Sequence, residues 1–158
     1  MKTMQLAIPL AALLGGGALW LAWPQGSSAL PVQPATVDVA AGETLYRANC
    51  ASCHGTRLEG AADWREARSD GTFPPPPHDR TGHTWHHGDA LLFDYTKLGG
   101  KVMLARGGIA GASGMPGFGT TLSDQQIWDV LAYIKSTWPP RVRAVQTERT
   151  KAEAAQGG

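Results

Sequence analysis

The chain has 158 residues, 42% of them hydrophobic, enough for one folded domain with a modest core. Its formal charge is +1, and no basic stripe interleaved with aromatics runs through it, which excludes the strong field expected of a nucleic-acid binder. Twenty glycines and eleven prolines lead one to expect long ordered loops around few regular elements.

In chain order, the first feature is an apolar run, Met4–Trp23, that contains no charged residue. Twenty helical residues at ~1.5 Å each would just cross a hydrocarbon core, and the run is longer than the ~7–15 residues of a secretory h-region. Trp20 and Trp23 stand where an interfacial aromatic belt would lie. The small residues Ser27–Ala29 suit a cleavage site, so a cleaved signal stays open beside an uncleaved anchor. The expectation is an N-terminal membrane helix over residues 1–25, placed in the inner (cytoplasmic) membrane with the following domain facing the periplasm. The alternative is a soluble periplasmic protein after cleavage.

Residues 26–40, with Pro31 and Pro34, read as an extended linker. A short helical pattern follows over Gly42–Cys50. From Arg57 to Gly88 periodicity is weak, and the stretch "TFPPPPHDRTGHTWHHGD" has polyproline character. Asp89 is a candidate N-cap for "ALLFDYTKL", which Gly99 and Gly100 terminate. A second Gly-rich loop, "RGGIAGASGMPGFGT", leads to the best-defined helix. There Ser123 and Gln126 form a capping box, and Ile127, Val130, Leu131, Ile134 and Trp138 share one face. Pro139 and Pro140 stop it, and residues 139–158, without an apolar stripe, read as a flexible polar tail. The fold expected is a small all-α domain of about four short helices over residues 41–138.

The chemistry lies in "YRANCASCHGT", which holds the chain's two cysteines, Cys50 and Cys53, followed at once by His54. A thioredoxin-like pair needs a preceding strand, and none is indicated. A zinc site needs four ligands, and the spacing to His83 and His86 fits no common finger. The remaining reading is covalent attachment of one c-type haem, which accounts for the histidine as well. Two thiols a helical turn apart add to the haem vinyl groups, and the adjacent imidazole ligates the iron. The glycine run "RGGIAGASG" has neither the preceding strand nor the following acid of a dinucleotide site.

Three segments in order, "GETLYRANCASCHG", "GMPGF" and "LSDQQIWDVLAYIKSTWP", resemble the class I monohaem cytochromes c across roughly residues 41–138. The resemblance implies that Gly42 and Tyr46 cross the C-terminal helix at Tyr133. It implies that Met115, in the "MPGF" loop, is the sixth ligand to the iron; Met103 is then core packing. It further implies that a carbonyl from Pro74 to Pro77 accepts a hydrogen bond from His54. Tyr46, Trp85 and Phe118 are expected to pack on the haem. A thioether opposite imidazole raises the reduction potential and suits an electron carrier.

Four of the five histidines, His78, His83, His86 and His87, lie in the proline-rich loop. They line the haem edge or the surface in the simpler reading. In sharper ones, His83, His86 and His87 form a second copper or zinc site with Asp79 or Asp89, or a pH-dependent docking face. A second metal is not the main expectation. The main expectation is a single-electron carrier, not an enzyme, working between a redox donor and a redox acceptor and binding no nucleic acid. The domain body, Leu30–Trp138, has nine Lys and Arg against eleven Asp and Glu, so electrostatic steering is modest. The rivals are a metal-handling protein, a haem enzyme or gas sensor with a labile sixth ligand, and a fixed subunit of a larger oxidase or dehydrogenase.

Overall fold

The structure, a computed structural model, describes residues 30–110 and 112–156. Helix α1 (Val39–Asn49) starts where Asp38, in an extended conformation, turns its carboxylate back onto the amides of Ala40 and Ala41 at 2.9 Å. The one-turn helix α2 (Ala51–His54) follows directly, hinged at Cys50. An irregular stretch then runs to a 3₁₀ turn, Thr84–His86, and to α3 (Asp89–Leu98) and α4 (Gly100–Arg106). Two-residue strands β1 (Thr72–Phe73) and β2 (Ala112–Ser113) pair in parallel, with Thr72 opposite Ala112. They clip the long loop to the Gly-rich loop. Helix α5 (Asp124–Ser136) carries the capping box between Ser123 and Gln126, and α6 (Pro140–Gln156) closes the described chain.

The organising contact is the crossing of α1 over α5. Gly42 sits at the crossing, where a Cβ would collide with the Asp129 carbonyl of α5. The absence of that one atom brings Tyr46, fully buried, to a ring-centroid distance of 5.5 Å from Tyr133. Two apolar clusters grow from α5. One joins Tyr46, Leu58, Val130, Tyr133, Ile134 and Trp138, and the other joins Phe93, Leu122, Ile127, Trp128 and Leu131. The Asp129 carboxylate is buried and accepts hydrogen bonds from the Asp38 amide and Gln125, tying the start of α1 to α5.

Three expectations need correction. The domain is predominantly helical, but six α-helices and a 3₁₀ turn are present among the described residues rather than about four helices. The helices end at Cys50 and at Gly99, φ 84°, as expected, but a new helix starts directly after each break, α2 at Ala51 and α4 at Gly100. Second, the polar stretch 139–158 is helical over Pro140–Gln156 and packs on the 3₁₀ turn and α3.

The third concerns the membrane. The apolar segment 1–25 on which an anchor was expected lies outside the described residues. No described helix is long and apolar enough to cross a membrane. The longest, α6, has 17 residues, about 26 Å at ~1.5 Å per residue, and its composition is polar. The described residues therefore carry no transmembrane helix, and the membrane contact and inner-membrane location expected from one find no support in them.

Candidate functional site

The site is built where α1 ends. The Cys50 amide still donates to the Tyr46 carbonyl at 2.8 Å, and the His54 amide donates to the Cys50 carbonyl at 2.9 Å. One tight turn therefore carries both thiols and the imidazole. Cys50 is half-buried, Cys53 is exposed, and both are free thiols. Burial first, then the neighbouring Cys53, pushes the Cys50 thiol up to about 11, so it stays protonated at neutral pH.

His54 is buried at 7% exposure. Its Nδ1 lies 2.9 Å from the Pro76 carbonyl oxygen. Burial lowers the imidazole pKa, with the Pro76 carbonyl pulling the other way, so the ring is neutral. A neutral ring that donates from Nδ1 keeps its lone pair on Nε2, the form a metal needs. The proline run is held in place to do this. The Ala61 amide donates to the Pro75 carbonyl at 2.9 Å, and the His78 amide to the Leu58 carbonyl at 2.8 Å. Gly82 permits the closest approach, since a Cβ there would strike the Pro77 carbonyl. Tyr46 adds a further tie, its hydroxyl donating to the Gly55 carbonyl at 2.9 Å just past His54.

His78 is a site residue whose place is not legible from the sequence. Its ring stacks on His54 with centroids 4.0 Å apart, and its Nδ1 lies 2.8 Å from the Thr84 hydroxyl. The Trp138 indole donates to its carbonyl at 2.7 Å. Burial first, then the His54 and His83 rings, holds its pKa well below 6.5. The folded chain therefore refuses a proton that the unfolded chain accepts below about pH 6.5. Stability from this group is complete above that pH and is lost as pH falls through it. The denaturant midpoint of the protein is expected to be lower at pH 5 than at pH 7.5, with a smaller difference in His78→Gln. Equal differences in both proteins would remove His78 as the cause.

The other expected residues divide between the two clusters. Trp85 packs against the first, with Cys50 and Tyr46. Its Nε1 is the only buried side-chain polar atom without a hydrogen-bond partner among the described residues. Phe118 packs against the second cluster. Met115 is half-buried on a loop sewn to α3 and α4, whose Gly100 amide donates to the Met115 carbonyl at 3.0 Å and whose Thr96 carbonyl accepts from the Phe118 amide at 3.0 Å. The loop histidines pair with rings rather than converge. His83 stacks on Trp64 at 5.1 Å and meets His87 edge-on at 5.4 Å, while His86 stacks on Trp85 at 3.7 Å. Among the described residues no three His, Cys, Asp or Glu side chains are grouped to hold a metal ion.

The donor set fits a c-type haem. It offers two free thiols within one turn, a neutral imidazole with one nitrogen uncommitted, and a buried indole N–H that lacks an acceptor among the described residues. A family model described as "Cytochrome c" matches residues 39–138. The chain is 31% identical over 118 residues to a protein named gluconate 2-dehydrogenase cytochrome c subunit, from Pantoea cypripedii. That alignment covers 71% of this chain but only 23% of the relative, so the chain spans about a quarter of the relative's length. No solved structure matches.

Proposed function

The chain belongs to the cytochrome c family, and from that membership we propose that it relays single electrons between a dehydrogenase partner and a further redox acceptor. Its Cys50-x-x-Cys53-His54 motif carries one covalently attached haem c, which supplies an Fe(II)/Fe(III) couple. The dehydrogenase as donor is taken from the name of the matched relative. The observation that carries the reading is the 2.9 Å approach of His54 Nδ1 to the Pro76 carbonyl.

In this reading Cys50 and Cys53 form the two thioethers, and His54 gives Nε2 to the iron. The Pro76 carbonyl fixes the tautomer and makes the ring a better electron donor. Trp85 would pack beside the macrocycle from the first cluster and Phe118 would approach it from the second, while Tyr46, fully buried against Tyr133, would support that cluster from within. Met115 supplies the sixth ligand. Support comes from the pinning of its loop: a thioether held by backbone bonds on both sides needs little reorganisation between redox states. Because Cys53 is exposed, the haem edge attached there would lie at the surface and would be the place for an electron to enter or leave.

Optical titration with carbon monoxide tests this on the haem-loaded protein. The ferrous wild type is expected to be low-spin and indifferent to the gas, and Met115→Ala to bind it stoichiometrically. Replacing the thioether also lowers the reduction potential. A wild type that already binds the gas would sink the relay reading in favour of a ligand-binding haem.

A further inference from the structure

Helix α6 lies beyond the matched residues 39–138, yet it does specific work at the start of α3. The residue before the first turn of α3, in the N-cap position, is Gly88, which has no side chain to cap it. The missing caps come from α6. Glu153 accepts from the Ala90 amide at 3.0 Å and from the Leu91 amide at 2.9 Å, one through each oxygen. The Thr150 hydroxyl accepts from the Asp89 amide at 3.1 Å. Gln146, 3% exposed, donates to the Asp89 carboxylate at 2.7 Å and reaches the His87 carbonyl at 3.4 Å. Gln146, Thr150 and Glu153 fall at i, i+4 and i+7, so one face of α6 is a stripe of hydrogen-bonding groups.

The segment held by this stripe ends the turn that bears Trp85. Gly88 lies so close to Glu153 that a Cβ would strike its carboxylate. His86, stacked on Trp85 at 3.7 Å, shares a groove wall with Arg149, Ala152 and Glu153. Val142, on the same side of α6, packs with Trp85 against the first cluster. The Trp85 ring is held by the first cluster and by His86, but among the described residues its buried Nε1 has no hydrogen-bond partner.

We propose that α6 is a positioning strap: Gln146 and Glu153 hold the 83–88 turn so that the Trp85 N–H is presented to the haem. This rests on Trp85 being a haem-packing residue. An indole N–H aimed at a haem carboxylate stabilises that anion, weakens its field at the iron and favours Fe(II). Losing the donor, or letting the turn drift, shifts the couple toward Fe(III).

The test is potentiometry and thermal unfolding of haem-loaded protein with Gln146→Ala/Glu153→Ala, Trp85→Phe and the triple variant. Glu153→Gln, which keeps an acceptor, serves as the conservative rescue. The strap variant is expected to raise the Fe(III)/Fe(II) ratio at fixed potential about threefold, about 28 mV at ~59 mV per tenfold for one electron. Trp85→Phe is expected to do the same, the triple variant to add nothing, and Glu153→Gln in place of Glu153→Ala to recover most of the shift. A strap variant that only loses thermal stability overturns the proposal, as does a shift that adds in full to that of Trp85→Phe. No shift in Trp85→Phe itself overturns the proposal too, and also removes Trp85 from the site.

Discussion

Replacing Gly42 by alanine is expected to destabilise the haem-loaded protein by about 2 kcal/mol, and replacement by leucine by about 3 kcal/mol or more. Two effects oppose each other in the alanine case. Alanine is the better helix former by ~1 kcal/mol, and in an open helix it would stabilise. Here its methyl meets the Asp129 carbonyl, a backbone atom inside α5 that has no rotamer to escape into. Relief requires α1 to lift away from α5. That lift opens the packing of Tyr46 on Tyr133 and stretches the Asp38–Asp129 bond of 2.9 Å. It also moves the Tyr46 hydroxyl, which anchors the turn behind His54. The collision therefore outweighs the propensity gain, and leucine adds three further carbons with nowhere to go. Guanidinium denaturation followed by far-UV circular dichroism measures both. An alanine variant as stable as the wild type would mean that the helices cross further apart than described.

Much of this arrangement is legible in the sequence because it depends on short-range rules. The haem motif needs residue identity and spacing alone. The capping box of α5 is written in Ser123 and Gln126, and its buried face follows from period 3.6. The crossing at Gly42 and Tyr46 is long-range and is legible only through the resemblance to the cytochromes c, with which the missing Cβ of Gly42 agrees.

The illegible parts are those in which distant segments complete each other. Four consecutive prolines are chemically equivalent in sequence, and Pro76 is selected only by how the 58–61 backbone pins the run. Asp89 suggests an N-cap by type but is the first helical residue, with its carboxylate bonded to Lys135 and Gln146. The caps of α3 come from some sixty positions later. Helix α6 is unreadable because periodicity is sought in apolar residues, and its docking stripe is polar. The signal is present as Gln146, Thr150 and Glu153 at helical spacing, but it has meaning only opposite an uncapped helix start. His78 next to His54 depends likewise on a long loop returning to its origin.

Replacing Cys50 and Cys53 together by serine is expected to abolish covalent haem retention altogether, a larger effect than any single substitution in the site. Serine keeps the size and the turn, and Cys50 serves the backbone only through its amide and carbonyl, which are unaffected. A hydroxyl does not form the thioether, so only the axial bonds would hold the haem. Extraction with acidified solvent should then leave a colourless polypeptide, whereas the wild type keeps its absorbance through denaturing electrophoresis. The single variants should differ in degree. Cys50 is half-buried against the first cluster, beside Tyr46, whereas Cys53 lies at the surface. Losing the Cys50 link frees the inner side of the haem and loosens the cluster, so Cys50→Ser is expected to melt at a lower temperature than Cys53→Ser. Cofactor attachment and core packing are one problem at this residue, because the thioethers keep the haem on the unfolded chain as well, and what it adds to stability is the packing and iron ligation made only in the folded state. Equal melting of the two single variants would separate them again and place Cys50 outside the core.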